Sequence, residues 1–342
     1  MKKNQRGSSI ILFILIVLIL IVAYIIYDLY VNNDENSIDY AKYYHENVEN
    51  TENEAKGYYY NQLEEPSKIM YTSILANLDL LKNGNEKILF PSELEKSIKE
   101  TGNEEENYFQ SAWDALSLDN LELFYIDTNK LSLSTKKMTL LAYKSSEYTL
   151  EPREEATYYS ESFTNRDQIE DALNKINNIA DDIISNASGT VYDKVKYVHD
   201  WIVDNISYDT TNNGKNKDNI YGTFVDKSVV CEGYAEAFKY LLDKLNIPCI
   251  LVYGTGFDNT GNSEAHAWNY VKMPDNKWYA VDVTWDDPIY VGMPSAFQLN
   301  TRKYENFLKG SEDFLKTHVE DGDVSGTGQK FKYPELSKID YK

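Results

Sequence analysis

Cys231, His266 and Asp282 are the residues whose types and settings could do covalent chemistry together. Cys231 stands in the run Val229-Val230-Cys231-Glu232-Gly233-Tyr234-Ala235, and from there Ala235, Phe238, Leu241, Leu242 and Leu245 recur at helical spacing. That spacing predicts a helix over 232–245 with the sulfur at its amino end, where unpaired N–H groups and the helix dipole favour a thiolate. Glu232, in the first turn, opposes this by repulsion, so the sulfur needs a histidine partner. Downstream, Ala265 to Met273 and Trp278 to Trp285 read as two strands of a hairpin turned by Pro274, Asp275, Asn276 and Lys277. Their odd positions are apolar: Ala265, Ala267, Val271 and Met273 in the first, Tyr279, Val281, Val283 and Trp285 in the second. If these share the buried face, odd residues lie opposite odd ones. His266 and Asp282 then emerge on the same face, with His266 opposite Thr284 and Asp282 one diagonal away, about 7–8 Å at Cα. In that arrangement Cys231 attacks a carbonyl, His266 takes and returns the proton, and Asp282 orients the imidazole and stabilises its cation.

The other reactive side chains read as structural. His45 lies in a polar stalk, His199 on a helix and His318 near an acidic tail with no neighbouring ligand set, while Asp286 and Asp287, before Pro288, cap a turn. Cys249 sits in the apolar run Ile250, Leu251, Val252, about 20 Å from Cys231 along the helix axis. A disulfide needs Cα atoms within about 7 Å, so both cysteines are expected to be free thiols. One histidine, one aspartate and two distant cysteines form no zinc spacing, and Asp321-Gly322-Asp323 falls short of a calcium loop. No metal and no cofactor are expected.

These residues must be positioned by a chain of 342 residues that carries a formal charge of −21. The acidic balance argues against nucleic acid as a partner, because phosphate binding needs clustered Lys and Arg. Residues 1–6 read as a cytoplasmic tip carrying Lys2, Lys3 and Arg6, residues 7–30 as a retained transmembrane anchor, and 31–57 as a polar stalk. With positive charge before the span and acidic residues after it, the catalytic part is expected outside the cell. Residues 58–163 read as an α+β accessory domain. Its helices run from Pro66 to Leu81, from Ser92 with Glu95 as a capping box, and along Phe109, Ala112, Trp113 and Leu116, followed by strands at Leu121–Ile126 and Met138–Tyr143. Residues 164–342 form the second domain, with a core at 190–290. It opens with a helix capped at Asn165 or Thr164 and a second started by Thr190 with Asp193.

Cys231-Glu232-Gly233-Tyr234-Ala235, then Ala265-His266-Ala267-Trp268-Asn269, then Val281-Asp282-Val283-Thr284-Trp285-Asp286-Asp287-Pro288, in that order, closely resemble the transglutaminase-like superfamily, particularly its bacterial exported members. The resemblance is strong over about 190–290 and looser in the flanks. It implies a papain-like α+β core in which a helix bearing the cysteine packs on an antiparallel sheet bearing the histidine and aspartate, and Cys231, His266 and Asp282 match those positions. It also implies an aromatic residue that helps hold the oxyanion, for which Tyr208 and Trp201 are the candidates. The calcium sites of animal transglutaminases have no counterpart here. The implied activity is acyl transfer from protein or peptide amides, possible cell-envelope substrates included, through a thioester released to water or to an amine. The alternative is a non-catalytic peptide-binding module of the cell surface that keeps the fold.

Overall fold

The computed structural model describes residues 13–24, 53–103, 107–140, 143–153, 157–258, 261–287 and 304–342. The proposed tip, most of the anchor, nearly all of the stalk and His45 lie outside the described residues. Residues 13–24 are helical, and Phe13, Ile16, Ile19 and Leu20 among them are exposed. Among the described residues no helix is long and apolar enough to cross a membrane.

The remaining elements make a mixed α/β fold. Its helices are α1 (Glu65–Leu75), α2 (Leu78–Leu81), α3 (Glu93–Thr101), α4 (Tyr108–Asp119), α5 (Arg166–Ser185), α6 (Val191–Asn205), α7 (Cys231–Lys244), α8 (Val283–Asp286) and α9 (Ser311–Phe314). Strands β1 (Ile88–Leu89), β2 (Leu131–Leu140) and β3 (Tyr143–Pro152) form one sheet, and β4 (Ser207–Tyr208) pairs in parallel with β5 (Ser228–Val229). A four-stranded antiparallel sheet, in the order β8-β7-β6-β9, takes β6 (Cys249–Phe257), β7 (Ser263–Lys272), β8 (Trp278–Val281) and β9 (His318–Glu320).

Local signals account for most of these elements. The Thr190 and Asp193 side chains close a reciprocal capping box at the start of α6, and Asn165 accepts from the Gln168 N–H at the start of α5. Ser92 does precede α3, but its side chain makes no cap. Glu95 instead accepts from the Ser146 N–H at 2.8 Å and from Lys99. The expected single helix from Pro66 to Leu81 breaks at Ala76–Asn77, where Asn77 turns its amide back to the Ser73 carbonyl at 2.7 Å. Leu121–Leu123 is a 3₁₀ turn rather than a strand, and the strands form a longer hairpin, β2–β3. The apolar run at 121–126 is buried because it joins the core under α4, not because it pairs in a sheet.

One apolar cluster runs from Tyr59 and Met70 through Trp113 and Phe163 to Phe238, Trp268 and Phe331. Residues 58–163 therefore share a core with the segment that follows. Tyr59, fully buried, donates its hydroxyl to the Leu251 carbonyl in the middle of β6. The C-terminal segment ties the same parts together: Ser325 donates to Asp114 at 2.6 Å, and the Gln329 N–H donates to Ser111 at 2.8 Å.

Candidate active site

Cys231 is the first residue of α7 and is only partly exposed, whereas Cys249 is fully buried in β6; both are free thiols. What brings the start of α7 so close to β5 is Gly233. A Cβ there would lie 2.6 Å from Cβ of Val229, so any side chain would push the sulfur outward. The helix is fixed to the sheet by Asn269 of β7, whose amide donates to the Ala235 carbonyl at 2.9 Å in a buried position. One face of α7 thus carries the thiol to the strand that carries the imidazole.

The β7–β8 register is the one the alternation predicts, with Asn269 opposite Val281 and Val271 opposite Tyr279. Pairing stops at Val281, however, and the expected strand from Trp278 to Trp285 is shorter than its pattern suggested. Asp282 is the N-cap of α8, its Oδ1 accepting from the Trp285 N–H at 3.1 Å. Capping turns the carboxylate back over β7, and Oδ2 meets Nε2 of His266 at 2.7 Å. His266 is 4% exposed and Asp282 fully buried. Burial disfavours a charged imidazole, but the Asp282 carboxylate and the Cys231 sulfur, to which the ring can donate, outweigh it and raise the His266 pKa to about 10. Burial likewise works against the Asp282 anion, yet His266 and His318 hold its pKa well below the usual carboxylate range.

With Nε2 committed to Asp282, Nδ1 is the His266 nitrogen left for the Cys231 sulfur. Trp285 stacks on the imidazole at 5.2 Å between centroids and covers the His266–Asp282 bond from one side. Such a set can pass a proton from sulfur to imidazole and back while the carboxylate fixes the tautomer. Repulsion from Glu232 is smaller than its position in the first turn implies. The residue is partly exposed but its carboxyl lies inside, where burial pushes its pKa up to about 7 and Tyr253 donates a hydrogen bond to it.

Of the two aromatic candidates, Tyr208 is brought to the site. Its strand β4 pairs Tyr208 with Val229, two residues before Cys231. Burial, followed by the nearby Cys231 and Glu264, pushes its hydroxyl up to about 12, so it stays a hydrogen-bond donor at neutral pH. Trp201 instead packs on α6 against Phe224 at 6.3 Å, with Lys227 over its ring at 4.5 Å.

Two histidines that read as structural lie at or beside the site. His318 of β9 is fully buried, and its Nε2 meets Oδ2 of Asp282 at 3.0 Å, the same oxygen that His266 uses. His199 of α6 is also fully buried and sets its Nε2 3.1 Å from Oδ2 of Asp286, at the other end of α8. Asp286 does not merely close a turn: it also accepts from the Asn306 N–H at 2.9 Å, while Asp287 accepts from the Tyr234 hydroxyl at 2.6 Å. No local pattern marks His318, because only the return of the chain to the edge of β6 brings it to Asp282. His266, Asp282 and His318 place ligand-type atoms within 4.8 Å of one another. The 2.7 and 3.0 Å contacts are those of hydrogen bonds, closer than the roughly 3.3 Å that separates ligands around a tetrahedral zinc ion.

Residues 177–283 match the family model of the Transglutaminase-like superfamily. No curated protein matches the chain significantly. Among solved structures, one of a TGase is similar at 14% identity and a TM-score of 0.31, over 49% of this chain and 48% of that one. The periplasmic domain of TgpA from Pseudomonas aeruginosa, bound to ethylmercury, is similar at 18% identity and a TM-score of 0.26, over 46% of this chain and 66% of that one. A candidate cysteine protease from Cytophaga hutchinsonii is similar at 15% identity and a TM-score of 0.28, over 55% and 65% of the two chains. This chain spans about half the length of the first of these structures. The segment that matches the Transglutaminase-like superfamily, residues 177–283, includes the thiol, the imidazole and the carboxylate.

Proposed function

We propose that this protein is a membrane-anchored, extracellular cysteine acyl-transfer enzyme acting on amides of proteins or peptides. The observation that carries the reading is the Cys231 sulfur, partly exposed at the start of a helix, beside a buried His266 that meets Asp282 at 2.7 Å. Cys231 adds to the amide carbonyl, and His266 gives its proton to the departing nitrogen as the C–N bond breaks. The product is a thioester on sulfur and a free amine. Water or a second amine then attacks the thioester, His266 takes the attacker's proton, and the thiol is restored. Tyr208, as a neutral hydroxyl beside Cys231, is suited to donate to the oxyanion that forms in each half of the cycle.

Support for the anchor comes from the unbroken apolar run that includes the exposed helical residues 13–24, and support for its orientation from Lys2, Lys3 and Arg6 ahead of it. Incubating the full-length chain with a library of Gln- and Lys-bearing peptides, followed by mass spectrometry, tests the chemistry. Joined peptides lacking about 17 mass units mean transamidation, a gain of about one means deamidation, and fragments mean peptide hydrolysis. A library left unchanged, with Cys231 reacting as an ordinary thiol, would overturn the enzymatic reading in favour of a binding module.

A further inference from the structure

His318 has no role in the chemistry above, yet it is the residue that completes the shell of Asp282. Phe314 lies flat against its ring at 3.9 Å between centroids and 11°, and Trp285 and Trp268 close in at 4.6 and 5.0 Å. An aliphatic side chain would fill so apolar a cage. What the imidazole adds is its Nε2, aimed at Oδ2 of Asp282 at 3.0 Å, and an Nδ1 that Thr317 Oγ1 approaches at 3.0 Å. A carboxylate oxygen only accepts, so Nε2 carries a proton. Nδ1 faces the Thr317 hydroxyl, which also reaches the Phe314 carbonyl at 3.4 Å. The His266 ring lies 5.7 Å away, so both imidazoles bear on the one buried carboxylate. The close approach of β9 that makes this contact depends on Gly254, where a Cβ would lie 2.1 Å from the Val319 carbonyl oxygen.

We propose that His318 is a positioning residue for the Cys231–His266 pair: it holds Asp282 as an Nε2–H donor, and by sharing the oxygen that His266 uses it makes His266 a readier proton donor. The inference deepens the acyl-transfer reading and takes its importance from it. An imidazolium held by a buried carboxylate gives up its proton reluctantly, yet the departing amine must receive that proton. A second N–H dipole on Oδ2 weakens the carboxylate's hold on His266. Removing it leaves the carboxylate in place, because Oδ1 and the backbone of Asp282 remain fixed by Trp285 and Asn306. The titratable groups facing His266 are Cys231 from α7, Asp282 from the α8 cap and His318 from β9, with Tyr208 and Glu264 towards solvent.

The experiment is a pH titration of the full-length chain, in detergent, labelled with ¹⁵N only at its four histidines. His318 is expected to carry a proton on Nε2, facing Asp282. In His318→Leu the His266 midpoint should rise by about half a unit or more, roughly a threefold tighter proton. In His318→Gln, whose amide N–H reaches the same oxygen, it should return to the wild-type value. A His318 without a proton on Nε2, a His266 midpoint that stays or falls in His318→Leu, or a Gln variant that behaves like Leu would each overturn the proposal. If the Leu variant does not fold, the wild-type Nε2 proton and the Gln titration still decide. None of these spectra requires turnover, so a catalytically silent chain still tests His318, and an active chain with an unmoved midpoint refutes this assignment alone.

Discussion

Replacing Asp282 by asparagine keeps the size of the side chain and its capping oxygen while removing the charge on which His266 depends. In the native protein the His266 pKa is raised from 6.5 to about 10 against the opposing effect of burial. That difference corresponds to about 5 kcal/mol of preference for the protonated ring. In Asp282→Asn the pull disappears and burial remains, so the His266 pKa should fall to 6.5 or below. At pH 8 the protonated share then drops from nearly all molecules to about one in thirty or fewer. With its Oδ1 kept on the Trp285 N–H, the new amide also turns N–H groups toward both the His266 and His318 Nε2 atoms, which favours the wrong tautomer for accepting the Cys231 proton. The assay is the rate of Cys231 alkylation by iodoacetamide from pH 5 to 10, read on the intact protein by mass. We expect at least a roughly tenfold slower reaction at pH 8 and the loss of an inflection near pH 10. Cys249 is the internal control: it is 0% exposed, and burial raises its pKa, so it should not react in the native state. An Asp282→Asn protein that folds normally and keeps the wild-type rate and profile would refute the linkage of thiol, imidazole and carboxylate.

Other outcomes follow from the same contacts. His199→Leu should lower stability by about 2–4 kcal/mol in denaturant unfolding, since it removes a donor from the fully buried Asp286 while leaving the charge in place. Gly254→Ala should push β9 off the sheet, because the new methyl meets the Val319 carbonyl. It should therefore reproduce the His318→Leu shift in the His266 titration without touching any reacting group. Thermal stability should be greatest near pH 4 to 5 and decline on both sides. On the alkaline side, burial raises Asp119 to about 7, and Asp282 raises His266 from 6.5 to about 10 against the effect of burial. Both groups bind their protons more tightly when folded, so the native state loses ground as pH rises through those ranges. On the acid side, Asp79, Asp193, Asp209 and Asp282 have lowered values, and the stability they confer goes as they are protonated. A midpoint temperature that climbs steadily from pH 5 to 9 would contradict this assignment of signs.

The sequence by itself determined whatever depends on near neighbours. The apolar stripe from Ala235 to Leu242 makes α7, the box of Thr190 and Asp193 starts α6, and the alternation through Val271, Tyr279 and Val281 sets the β7–β8 register. Each is a contact closed within a few residues or across one tight turn, so its pattern survives in the linear order. Where local signals competed, reading was less secure. The apolar run at Leu121–Ile126 serves a buried turn as well as a strand, and at Asp282 capping prevailed over strand continuation. Only the tertiary structure decided that Asp282 answers to two histidines, that His199 steadies the far end of α8, and that Tyr208 rather than Trp201 stands beside the thiol. These contacts join residues 36 and 87 positions apart, or two strands of two residues each, and they exist only because β9 and α6 are pressed onto the sheet and α8 by the common core. Burial then gives them their force, since a carboxylate and an imidazole that would ignore each other in water are strongly coupled once both are dry.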